Sequence, residues 1–166
     1  MKHLSFAFLL FFIFSACRSD AQKANLVWHT DLMEAQKISK DTHKPIFAFF
    51  TGSDWCVWCH KLENEVFSKK AFIDWSQKVV LLEVDFPRCK QLPPELVQQN
   101  NNLQQAFQVR GYPTVWLFFM DKDPKSDKLL ISPLGSTGYP QGAEAGREEV
   151  KFLADANALL AKMNSK

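Results

Sequence analysis

Residues 47–60 read Phe-Ala-Phe-Phe-Thr-Gly-Ser-Asp-Trp-Cys-Val-Trp-Cys-His, and they constrain the fold more than any other part of the chain. An apolar run ends in small and polar turn residues, and two cysteines separated by two residues follow it. The pattern after the cysteines is helical. A strand, a turn and a cysteine pair at the start of a helix are typical of a site for thiol–disulfide chemistry.

The position of this pair predicts different roles for the two cysteines. The first turn of a helix brings them close enough to form a disulfide. The helix N-terminus carries partial positive charge, which favours the thiolate of Cys56 over its thiol. We therefore expect Cys56 to be the nucleophile and Cys59, one turn further along, to be the more buried resolving thiol. Attack by Cys56, a mixed disulfide and release by Cys59 require no cofactor and no metal.

The N-terminus has the pattern of an export signal. A short basic start precedes an apolar run over residues 4–16, which is too short for a comfortable membrane span. Small residues at positions 19 and 21 predict cleavage after residue 21. The signal peptide is then residues 1–21, and the folded domain is residues 22–166.

A second interpretation of the same segment is a lipoprotein signal. Phe14-Ser15-Ala16-Cys17 resembles a lipoprotein box, which would make residues 1–16 the signal and leave Cys17 lipidated. An uncleaved anchor is the third option. All three export the domain to the periplasm, where disulfides persist, with membrane contact only through the signal segment or the lipid on Cys17.

Composition indicates one globular domain that binds no nucleic acid. The chain has 166 residues and a formal net charge of +2, with its Lys and Arg residues scattered. Fifteen Phe and five Trp predict an aromatic-rich core.

Periodicity predicts an α/β fold with a mixed central sheet of four to five strands and helices on both faces. The late strands form a hairpin, whereas the early ones form a parallel pair. The predicted strands are 26–28, 46–50, 79–85, 114–119 and 129–131. The predicted helices begin at the caps Asp31 and Ser68, follow the cysteine pair, and cover 95–109 and 147–162, with a loop over 133–146.

Gly111-Tyr112-Pro113 precedes a second buried strand. A proline in such a tight bend suits a cis peptide bond, although the general preference is for a trans proline at a strand start. With cis geometry, the backbone of Tyr112 stays free to pair with an extended substrate.

Trp55-Cys56-Val57-Trp58-Cys59 after a strand, together with Gly111-Tyr112-Pro113-Thr114 before another, resembles the thioredoxin superfamily. Over residues 50–56 and 61–67 the chain is similar to exported bacterial thioredoxin-like proteins related to the C-terminal domain of thiol:disulfide interchange proteins. The resemblance implies a three-layer thioredoxin-like fold, a cis Pro113 and dithiol–disulfide exchange on protein substrates. It favours a reductase, which would draw electrons from a membrane donor.

Two departures from thioredoxin concern proton transfer. Its buried acid would fall at Phe50 and its nearby lysine at Leu81, so both polar groups are missing. We expect Glu83, Asp54 or Glu63 to substitute, or else solvent.

The cysteine motif also fits two other kinds of site. Cys56-Val57-Trp58-Cys59-His60 satisfies the pattern for c-type haem attachment, although no second axial ligand is marked out. A zinc site from Cys56, Cys59, His60 and Cys89 has suitable ligand types but lacks a second close-spaced pair. Cys89 otherwise reads as a loop thiol without a partner, or as one that pairs transiently.

A third alternative is a client-binding module in which the dithiol is incidental. Trp55, Trp58 and Tyr112, here called the aromatic collar, predict an apolar surface for client proteins. With Val57 and Pro113 they make up the predicted substrate-binding residues. The competing interpretation is that these rings pack into the core.

Overall fold

The computed structural model describes residues 26–126 and 128–165. The central strand β1 (Ile46–Thr51) is apolar almost throughout, and all six of its residues are buried. It pairs in parallel with β2 (Val80–Asp85) and antiparallel with β3 (Thr114–Lys122). β3 continues antiparallel into β4 (Leu129–Gly138), so the sheet order is β2-β1-β3-β4. The predicted mixed sheet is confirmed, with four strands.

Helices cover both faces of the sheet, as predicted. α1 (Leu32–Thr42) and α4 (Pro94–Ala106) pack on one face. The other face carries α2 (Val57–Leu62), its wider π-helical continuation Glu63–Phe67, α3 (Lys70–Ser76) and α5 (Glu148–Ala161). Asp31 caps α1 by accepting the Glu34 amide at 2.8 Å, as the sequence predicted. Within the described part of the chain, no helix is long and apolar enough to cross a bilayer.

The core on the α2 side is aromatic, in keeping with the composition. Phe67 and Phe72 stack at 4.5 Å between ring centroids, and both contact Phe47 and Phe152. Trp75 closes the cluster beside Phe72. Cys59 and Leu62 of α2 belong to the same buried cluster, so the helix that carries the cysteine pair packs on the aromatic core.

Two predictions about strands are wrong. Residues 26–28 form no strand, because in this segment only His29 pairs with β2. Its N–H donates to the Leu81 carbonyl, and its carbonyl accepts the Glu83 N–H. β4 extends through positions 133–138, which were predicted as loop. Pro133 is tolerated because β4 is an edge strand, where a missing N–H need not cost a ladder bond. Gly135 adopts φ +140 near a register shift in the β3–β4 pairing.

Two details of the helices also differ from prediction. Ser68 does not cap α3, because its hydroxyl donates to the Asn64 carbonyl and Lys69 occupies the cap position. In α5 the buried residues are Phe152 and Ala156. The sequence instead predicts an inward side about one position away from the observed one, formed by Val150, Leu153, Ala154, Asn157 and Leu160. Val150 is exposed. Residues 1–21 and Cys17, which carry the signal predictions, lie outside the described residues.

Candidate active site

Cys56 and Cys59 form a disulfide at the start of α2, with their Cα atoms 5.2 Å apart. Cys56 occupies the cap position, where its sulfur accepts the backbone N–H of Cys59 at 3.2 Å. Cys59 is fully buried, whereas Cys56 retains 5% of its surface. The two cysteines therefore differ slightly in exposure, in the direction predicted from the sequence, although even Cys56 is nearly covered in the oxidised state.

Trp55, directly before the pair, is half-buried and held in place from several sides. Its Nε1 donates to the Phe86 carbonyl at 2.8 Å, and its ring meets Tyr112 edge-on at 5.8 Å. The Arg88 guanidinium lies over the ring, 3.9 Å from the ring centroid. Gly52 leaves room for the indole beneath the turn. Neither Arg88 nor Phe86 was identified from the sequence, because both reach the site from a loop about thirty residues further along the chain.

The two residues between the cysteines face outward. Val57 is 73% exposed and Trp58 is 52% exposed. The Trp58 ring packs edge-on against Tyr139 at 4.9 Å, and the Lys61 ammonium lies over both rings. The Tyr139 hydroxyl donates a short hydrogen bond to Glu65, which raises the pKa of that tyrosine.

The aromatic collar is therefore divided. Trp55 contacts Tyr112 on one side of the disulfide, and Trp58 contacts Tyr139 on the other. Tyr139 was missed because it follows β4 in a segment that had only loop signals. The core-packing alternative holds in part for Trp55 and not for Trp58.

Tyr112 lies beside the site through its ring contact with Trp55, and Pro113 follows it with the cis geometry that the resemblance implied. The peptide bond between them is cis. The Tyr112 hydroxyl accepts a hydrogen bond from Gln104 at 2.7 Å, and its ring packs on Phe86 at 5.4 Å. Burial raises the pKa of Tyr112.

Asp54, one of three acids predicted for proton transfer, binds the backbone of a neighbouring loop. Its carboxylate accepts the backbone N–H groups of Arg88 and Cys89 at 2.6–3.0 Å. These amide bonds lower the pKa of Asp54 below its ordinary value. Asp54 thereby fixes the loop that carries Arg88 and Cys89 beside Trp55.

Glu63 and Glu83, the other two acids, share a cleft. Burial raises the pKa of both carboxyl groups, and the Asp85 carboxylate adds to the rise at each. Glu63 follows Cys59 by four residues on the same helical segment, so the two lie on one face. The cleft measures about 390 Å³, and its lining includes Trp28, Phe49, Ser53, Glu63, Phe67 and Glu83.

Phe50 and Leu81, the positions where thioredoxin has polar groups, are buried and apolar here. A different acid lies near the cysteine turn. Asp85, at the end of β2, is buried and accepts the Ser53 amide at 2.8 Å and the Ser53 hydroxyl at 2.7 Å. Lys90 pairs with it at 2.8 Å. Asp85 was predicted only as the last residue of a strand, and no local signal marked its contacts.

The residues needed for haem attachment or zinc binding are engaged otherwise in this structure. The two sulfurs are bonded to each other, and Nε2 of the half-buried His60 donates to the Ser53 carbonyl at 2.8 Å. The sequence predicts an exposed His60 on the helix that carries the cysteines, so its partial burial differs from that prediction. Cys89 is an exposed free thiol in the loop held by Asp54.

Comparison with known proteins relates this geometry to a family. A family model described as a thioredoxin-like domain matches residues 32–125, more than half of the chain. Disulfide bond reductase DsbH of Chlamydia pneumoniae is 37% identical over 118 residues, which make up 70% of this chain and 69% of that protein. Thioredoxin-related protein DsbJ of the same organism is 29% identical over 137 residues, 82% of this chain. That match spans only 37% of DsbJ.

Solved structures agree with the sequence matches. A structure described as DsbH oxidoreductase aligns with a TM-score of 0.65 at 30% identity, covering 82% of this chain and 85% of that one. A thioredoxin from Thermus thermophilus aligns with a TM-score of 0.54 over 82% of this chain and 88% of its own, and at 15% identity it shows the fold alone. This chain therefore belongs to the thioredoxin-like family and is a thiol:disulfide oxidoreductase homologous to DsbH.

Proposed function

We propose that this chain is an exported reductase of protein disulfides, with Cys56 as the nucleophile and Cys59 as the resolving thiol. The observation that carries the proposal is the Cys56–Cys59 disulfide at the start of α2, with the more exposed cysteine at the cap position. The name of the relative DsbH, a disulfide bond reductase, supports the direction of electron flow.

The reaction starts from the dithiol form. The Cys56 thiolate attacks one sulfur of a client disulfide, which forms a Cys56–client bond and releases the other client sulfur as a thiolate. The Cys59 thiolate then attacks the Cys56 sulfur, closes the intramolecular disulfide and releases the second client thiolate. Two electrons pass from the protein dithiol to the client disulfide, and the two protons of that dithiol end on the client thiols. No cofactor or metal takes part, and a membrane dithiol donor would restore the reduced form.

The client would lie across the residues around Cys56. Val57 and Trp58 offer exposed apolar surface, and Trp55 and Tyr112 border the disulfide on the other side. The backbone at Tyr112 and Pro113 is the edge on which an extended client segment would form hydrogen bonds.

Glu63 is our candidate for the proton acceptor of Cys59, with Glu83 beside it in the same cleft. Both are half-buried, and their raised pKa values bring them closer to the range useful for proton exchange with a thiol. Asp54 is the weakest of the three candidates, because its oxygens are occupied by backbone amides.

Export follows from the N-terminal pattern, and we propose a periplasmic location after cleavage at residue 21 or lipidation at Cys17. Mass spectrometry of the mature protein from the membrane and soluble fractions would distinguish the two. A mature chain that begins at Gln22 supports the first route, and a lipidated Cys17 supports the second.

The redox assignment is tested by insulin reduction with Cys56→Ser and Cys59→Ser variants. Cys56→Ser should lose activity completely. Cys59→Ser should accumulate a mixed disulfide with insulin that is visible on a non-reducing gel. Activity of Cys56→Ser equal to wild type would remove Cys56 from the nucleophilic role, and trapping by Cys56→Ser instead would reverse the two assignments.

A further inference from the structure

Arg88 reaches the mouth of the site through two independent contacts. Its backbone N–H donates to the Asp54 carboxylate, and its guanidinium lies over the Trp55 ring with Cζ 3.9 Å from the ring centroid. Trp55 directly precedes the nucleophile Cys56 in the chain. The Arg88 side chain is thus held on the residue next to the cysteine at which a client must arrive.

Within the described part of the chain, Arg88 differs from Lys61 and Lys90 in having no acidic partner. Lys61 lies 3.8 Å from Glu65, and Lys90 lies 2.8 Å from Asp85. Among residues 26–126 and 128–165, no carboxylate lies within ion-pair distance of the Arg88 guanidinium. The Asp54 carboxylate contacts the backbone of Arg88 and not its guanidinium, because its oxygens accept the backbone N–H groups of Arg88 and Cys89.

Stacking on an indole leaves the edge of a guanidinium available. The five N–H donors lie in the guanidinium plane, so a face-on contact with a ring does not use them. A carboxylate is their best-matched acceptor. Because Trp55 already holds the group, little side-chain freedom would be lost when a carboxylate binds.

We infer that Arg88 selects client peptides that carry a carboxylate side chain beside the disulfide to be reduced. The inference rests on the proposed function, since the client must present its disulfide to Cys56. It adds a substrate class, acidic disulfide-flanking sequences, and a residue that recognises them. The aromatic surfaces on both sides would then contribute apolar contact without distinguishing charge.

The test compares two synthetic peptides that each contain one internal disulfide and differ only in Glu or Gln at the positions flanking the cysteines. Pre-reduced full-length mature protein is mixed with each peptide, and second-order rate constants are measured in single turnover. We expect wild type to prefer the Glu peptide by about threefold to tenfold, between the effects of an exposed ion pair and a charge-assisted hydrogen bond. The preference should shrink as ionic strength rises.

Arg88→Gln should bring the ratio of the two rate constants to about one. Lys61→Gln, a matched loss of charge on the other side of the disulfide, should keep the wild-type ratio. Arg88→Lys keeps the positive charge but lacks the planar set of guanidinium N–H donors, so it should give an intermediate ratio. Circular dichroism checks that each variant is folded, and the salt dependence of wild type provides a test that needs no variant.

Three results would overturn the inference. Wild type could reduce both peptides equally well, Arg88→Gln could slow both by the same factor and keep the ratio, or the preference could persist unchanged at high ionic strength. The second result would assign Arg88 a structural role on Trp55. Failure of wild type to reduce either peptide would reject the proposed function itself, together with this inference.

Discussion

Gly52 determines where Trp55 can lie. A Cβ atom at this position would be 2.4 Å from Cε2 of the indole, and it would also crowd Nε1 and Cζ2. The need for glycine here comes from close approach of the ring and not from the backbone conformation. The same ring donates to Phe86 and carries Arg88, so its position affects the whole side of the site next to Cys56.

Gly52→Ala should therefore move Trp55, with loss of its hydrogen bond to the Phe86 carbonyl. We expect a decrease of about 1–3 kcal/mol in the free energy of unfolding, the usual cost of overpacking, and slower insulin reduction. Urea denaturation and the reduction assay measure the two effects. Gly111→Ala is the matched control, because a Cβ there meets no atom within 4 Å. Equal stability of the two variants would contradict the proposed packing role of Gly52.

At the scale of single residues, the sequence predicted the site residues that belong to a local sequence motif. Cys56, Cys59 and Tyr112-Pro113 were found because strand–turn–helix patterns and Gly-Tyr-Pro mark them locally. Arg88, Asp85 and Tyr139 were not, since their contacts join segments that lie about 30 to 80 residues apart in the chain. Side-chain contacts of that kind leave no local pattern.

At the scale of elements, α3 depends on its neighbours. It has only seven residues, and no side chain caps its N-terminus. Its buried Trp75 instead donates from Nε1 to the Asn157 Oδ1 of α5 at 2.8 Å. This bond joins two helices that pack on the aromatic core beneath the cysteine helix.

Asn157→Ala should remove the protein acceptor of the Trp75 N–H, in a bond that is part-buried because Asn157 is exposed. The expected loss is about 0.5–1.5 kcal/mol in the free energy of unfolding, the usual net contribution of a hydrogen bond whose acceptor water can replace. Asn157→Asp keeps an oxygen at the acceptor position and should retain most of the stability. Urea denaturation followed by tryptophan fluorescence would measure both. If the alanine and aspartate variants lost the same amount, the hydrogen bond would not be the cause.

Prediction of elements failed where local signals and tertiary pairing disagree. Pro133 and Gly135 indicate a loop, yet pairing with β3 carries the chain through them as an edge strand. Residues 26–28 have the composition of a strand, yet backbone bonds to β2 form only around His29. The long apolar strands β1, β2 and β3 were predicted correctly because burial on both sides dominates their sequences.

At the scale of the whole molecule, the cleft beside the cysteine helix imposes a pH dependence on stability. Burial raises the pKa of Glu63 and Glu83 above the ordinary value of 4.5. The folded protein therefore keeps these protons at a pH where the unfolded chain has released them. Their contribution to stability is complete below about pH 4.5, falls as pH rises to the folded pKa, and stays constant above it.

An amide would fill the same space without this cost at neutral pH, so the half-buried acid pair supports our proposal that the cleft serves proton transfer. Glu83→Gln should raise the free energy of unfolding at neutral pH by about 0.5–1 kcal/mol after allowance for solvent exposure. The gain should disappear at acid pH, because the wild-type carboxyl is then neutral as well. Urea denaturation over a pH series measures this difference.

Glu95→Gln serves as the surface control for that series. Glu95 is exposed in the first turn of α4, where a negative charge favours the helix, so its replacement should leave stability at neutral pH equal or slightly lower. The two variants should therefore diverge as pH rises from acid to neutral. If Glu83→Gln were no more stable than wild type at neutral pH, burial of the charge would carry no cost. The argument that the cleft retains its acids for proton transfer would then lose its basis.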